Sequence, residues 1–107
     1  MKLNVQIDEQ MYQIEVPDDM AFTAKDIFAR MDREMDNGWQ MSREWVPNLD
    51  ATQRCQVAAN RLLTAVENKH QPSMMLMSGY IIYKMPTIQK IFIDTQGDMT
   101  QTQLYTD

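Results

Sequence analysis

The sequence predicts an α+β fold of order ββαααββ, in which two terminal β-hairpins form one antiparallel four-stranded sheet and three central α-helices pack on one of its faces. Three observations lead there. Both ends of the chain alternate apolar and polar residues with the period of a strand, and the middle carries apolar stripes at helical spacing. A nearly all-apolar run, Met74 to Met85, is bracketed by Pro72 and Pro86. With 107 residues, 44% hydrophobic and 23% charged, the chain suits a single domain over 1–107.

Leu3, Val5 and Ile7 share one face of a first strand and Asn4, Gln6 and Asp8 the other. After Asp8-Glu9-Gln10, Tyr12, Ile14 and Val16 alternate with Gln13 and Glu15, so residues 2–16 read as a hairpin that Pro17 ends. Asp18 and Asp19 then stand where a helix begins, able to accept its free N–H groups. Ala24, Ile27, Phe28, Met31, Met35, Gly38, Trp39, Ser42 and Trp45 fall in one arc of about 120°. Because the phase agrees on both sides of Asn37-Gly38, a long or kinked helix over 19–46 is expected. Straight, it would run to roughly 39 Å, so a break at Gly38 is the alternative.

Pro47 closes that region, and Asp50-Ala51-Thr52-Gln53 has the form of a capping box opening a helix over 50–70. Its apolar arc is Cys55, Ala58, Ala59, Leu62, Leu63 and Val66, small enough for close approach by a neighbouring helix. The third helix, 72–85, is the apolar run itself. At roughly 18 Å it is too short for a bilayer core, which needs about 20 apolar residues, so its partner is protein. The last segment, 88–105, reads as a hairpin whose turn, Asp94-Thr95-Gln96-Gly97-Asp98, uses Gly97 for positive φ.

The net charge of −5 and scattered basic residues argue against nucleic acid and anionic membranes as partners. A lone cysteine, Cys55, and a start without an apolar signal core suggest a cytoplasmic protein. His70 is the only histidine and is expected near the carbonyl end of the second helix. Cys55, on an apolar arc, reads as a small hydrophobe. Eleven methionines invite a thioether metal site, yet methionine more often fills irregular cores and adaptable surfaces, so no metal and no cofactor is expected. Asp32 and Asp36, beside Lys25 and Arg43, read as a solvated charged face. No phosphate-cradling loop, nucleophile elbow or zinc-protease motif occurs, so the chain leans away from catalysis.

Three apolar helix faces against one small sheet leave surface wanting burial. The function expected is that of a small acidic accessory or adaptor protein acting by protein–protein association as a homodimer. Its candidate contacts are Trp39, Trp45, Met74, Met75, Met77 and Ile81. The alternative is a carrier or sensor of a small apolar ligand, in a Met-lined pocket with Tyr80 and Tyr83 between helices and sheet.

Overall fold

Alternation of apolar and polar residues builds the first hairpin of the structure, a computed structural model that describes residues 1–106. Strands β1 (Lys2–Ile7) and β2 (Gln10–Glu15) pair antiparallel, Leu3 against Ile14 and Val5 against Tyr12. Asp8, in the tight turn, takes φ +54°, a conformation that Asp tolerates better than most residues. Of the domain expected over 1–107, Asp107 lies outside the described residues.

The helix expected over 19–46 does not form as one element. It is a single turn, α1 (Met20–Thr23), a break at Ala24, and α2 (Lys25–Asp36). Residues 39–46 form a small separate hairpin, β3 (Trp39–Met41) and β4 (Glu44–Val46). Gly38 is the physical reason. It sits at φ +98° just past the helix end, its N–H donates to the Met35 carbonyl at 3.1 Å, and a Cβ there would lie 2.6 Å from the Trp45 ring. Phe28, Met31 and Met35 of the expected stripe are buried, whereas Ile27 is 41% exposed.

Helix α3 (Ala51–Glu67) opens with the capping box: Gln53 N–H donates to the Asp50 carboxylate at 2.8 Å, and Asp50 N–H to the Gln53 side chain at 3.0 Å. Cys55, Ala58, Ala59 and Leu62 are fully buried, and this small-residue face lets α3 pack closely on α4 (Gln71–Lys84). In α4, residues Met77 to Ile82 are all buried. His70 does not serve the end of α3 through its side chain. Its Nδ1 caps α4 instead, accepting the Ser73 N–H at 3.2 Å.

Strands β5 (Ile88–Ile93) and β6 (Gln103–Thr106) pair antiparallel around a loop with a short 3-10 turn, Met99–Gln101. A register shift between Ile88 and Lys90 turns both Ile88 and Ile91 inward despite their odd spacing. The sheet is mixed, not antiparallel throughout. Its order is β2-β1-β5-β6, with β1 and β5 parallel, Val5 beside Ile91. The intervening helices supply the long crossover that a parallel pair requires. Leu3, Val5, Ile14, Ile91 and Ile93 face α3 and α4 in one core, and the opposite face stays open.

Candidate functional site

Strand order makes β2 an edge, and the pairing rule says which of its groups are free. Met1 and Val16 exchange both backbone bonds, at 2.6 and 2.7 Å. Bonded and non-bonded pairs alternate in an antiparallel ladder, so Leu3 with Ile14, Val5 with Tyr12 and Ile7 with Gln10 are bonded as well. Met11, Gln13 and Glu15 therefore turn their N–H and C=O groups away from β1 into the open edge. The strand has no Lys, no Pro and no bulge to blunt that edge.

Beside the edge lies a groove of about 350 Å³, lined by Tyr12, Gln13, Ile14 and Glu15 on one side and Gln71, Met74 and Met75 on the other. Its second wall exists because α4 starts nearly two turns before its buried segment. Pro72 suits the first turn, and Met74 and Met75 follow before the core contact at Met77. Met74 is half-buried and Met75 is 37% exposed. An unpaired strand edge next to an apolar helix wall is the geometry that accepts an extended segment, with main-chain bonds for affinity and alternate side chains for selection.

The densest titratable cluster sits elsewhere, where α2, α3 and α4 meet. Asp32 accepts from Lys84 Nζ at 2.6 Å, Tyr80 Oη at 2.6 Å and Arg54 Nη1 at 3.1 Å, and Arg54 Nη2 reaches Asp36 at 2.7 Å. Lys25 and Arg43, the neighbours expected from the sequence, are not the partners; three residues from distant segments are. Burial would raise the Asp32 carboxyl, but the hydrogen bonds from Lys84 and Tyr80 outweigh it and hold the group below the ordinary carboxylate value. Burial and the Asp32 bond push the Tyr80 hydroxyl up, and burial pushes the Cys55 thiol up to about 12. Two cations stand against two carboxylates, and every contact among them runs between helices. The cluster is a clamp between helices.

A wider cleft of about 650 Å³ runs between the β3–β4 turn and the β5–β6 loop, lined by Ser42, Arg43, Glu44, Asp98 and Thr100 among others. Ser42 Oγ donates to Asp98 at 2.6 Å, and the Ser42 and Thr100 bonds lower the Asp98 carboxyl. The bond ties the β3–β4 turn to the β5–β6 loop across the cleft. Among the described residues no group of three or more acidic, cysteine or histidine side chains is placed to hold a metal, and no helix is long and apolar enough to cross a membrane.

The structure brings together only two of the candidate contacts, Met74 and Met75. Trp45 is 59% exposed on β4, and Trp39 is half-buried, with the Arg61 guanidinium 5.1 Å from its ring centroid. Ile81 is fully buried in the core, and Met77 is buried but for 8% of its surface, which borders a separate groove with Arg61, Thr64 and Ser73. Tyr80 is fully buried and Tyr83 is half-exposed, stacked on Phe28 at 5.5 Å; neither borders one of the clefts described. Sequence reasoning missed Met11, Gln13 and Glu15. The available signal was a strand of six residues without Lys or Pro. Comparison with protein-family models, with curated proteins and with solved structures gives no match.

Proposed function

We propose that this chain is a small accessory or adaptor protein that acts by protein association, as a homodimer, through the open edge of β2 and the Met74 and Met75 wall beside it. The observation that carries this reading is the run of free backbone groups at Met11, Gln13 and Glu15, the last two of which border a groove walled by Met74 and Met75. An edge so unprotected is an aggregation hazard unless a partner covers it. Methionine suits the wall, since its flexible thioether adapts to the side chains it meets. A cytoplasmic setting belongs to the same reading, in keeping with a single buried thiol at Cys55. Light scattering during size-exclusion chromatography tests the dimer: the expected mass at micromolar concentration is twice 12.6 kDa. A mass of one chain at that concentration sinks the reading.

A further inference from the structure

We propose that the segment completing the edge of β2 is β2 of a second copy, antiparallel and centred on Gln13, so that two four-stranded sheets merge into one of eight. The inference rests on the association reading above and deepens it by naming the occupant and its register. Strand order and alternation dictate the starting point. An outward-facing residue must lie opposite an outward-facing residue of the copy, or its N–H and C=O meet no partner. Around a twofold axis this restricts the centre of pairing to Tyr12, Gln13 or Ile14 if most of the strand is to overlap.

The sequence discriminates among the three. Centring on Tyr12 sets Met11 opposite Gln13 but leaves Glu15 facing Glu9, which lies in the turn outside β2, so the outward groups of Glu15 stay unmet. Centring on Ile14 sets Met11 opposite Pro17, which has no N–H to give. Centring on Gln13 sets Gln13 opposite itself and Met11 opposite Glu15, so every outward N–H and C=O of Met11, Gln13 and Glu15 finds a partner. On the helix-covered side Tyr12 falls opposite Ile14 of the copy. Those side chains line the groove with Met74 and Met75, so both copies bring apolar walls to the seam. The other edge strand, β6, has four residues against the six of β2 and borders neither this groove nor the wider cleft.

The register is read by charge at Met11, which is 57% exposed, so substitution there leaves the core untouched. With Glu15 of the copy opposite, Met11→Glu is expected to raise the dimer dissociation constant about tenfold and Met11→Lys to lower it about tenfold, the two symmetric pairs acting together. The double variant Met11→Glu with Glu15→Lys restores association. Gln13→Cys places two thiols on the axis with Cα atoms about 5.5 Å apart, within reach of a disulfide. Mild oxidation should therefore give a covalent dimer, to which the buried Cys55 does not contribute. Circular dichroism confirms that each variant is folded. Dimers whose dissociation constant moves by less than about twofold with either Met11 variant, and which Gln13→Cys does not trap, overturn this inference while the association reading stands. A monomeric parent protein at micromolar concentration removes both.

Discussion

Asp32 shows what a buried polar group contributes when all its partners are present. Three donors from two other helices converge on it, and its side chain keeps 23% of its exposure. Asp32→Asn removes the charge that Lys84 and Arg54 answer while leaving an oxygen for Tyr80, and should cost about 1–3 kcal/mol in chemical denaturation. The sign with pH follows from the lowered carboxyl. Its stabilisation is fully present above the unfolded value near 3.8 and is lost as the pH falls through the lower folded value. The parent protein should therefore lose stability on acidification below that point more steeply than Asp32→Asn, in unfolding curves taken across the acid range. Ser78 is the counter-case. Its hydroxyl is fully buried on α4 with no hydrogen-bond partner, so Ser78→Ala should be neutral or stabilising by about 1 kcal/mol in the same assay.

At the scale of elements, Gly38 decides where helix gives way to strand. Gly38→Ala meets both a positive φ and the Trp45 ring 2.6 Å from the new Cβ, so it should cost about 1–3 kcal/mol and shift the tryptophan fluorescence as the β3–β4 hairpin loosens. Unchanged fluorescence and stability would count against the stop. This element also marks what the sequence made legible. The alternation of β1 and β2, the Asp50–Gln53 box and the Pro72–Pro86 bracket are local signals, and each produced its element. Trp39 and Trp45 fit a helical period and a strand pairing equally well over so short a stretch, so phase alone could not separate them. Strand direction and edge position have no local signature. The parallel β1–β5 pair, and with it the exposure of Met11, Gln13 and Glu15, follow from how the helices return the chain. Met74 and Met75 were legible because they sit on an apolar helix too rich in surface for one core.

At the scale of the whole molecule, the proposed pairing of β2 with a second copy would make association and folding one equilibrium. If the β2 edge is covered only in the dimer, unfolding takes one dimer to two chains, and stability must rise with protein concentration. A hundredfold increase in concentration is worth about 2.7 kcal/mol per dimer, shared between two chains, which for a domain of this size moves the thermal midpoint by several degrees. Gln13→Pro supplies the control. Its missing N–H is one that points outward, so the β1–β2 ladder keeps its bonds, and proline is tolerated on an edge strand for that reason. The midpoint of the parent protein should climb with concentration while that of Gln13→Pro stays level, both followed by circular dichroism at low and high concentration. A parent midpoint independent of concentration would mean that the edge of β2 is not covered by a second copy and that the groove beside Met74 and Met75 stays open in the folded chain.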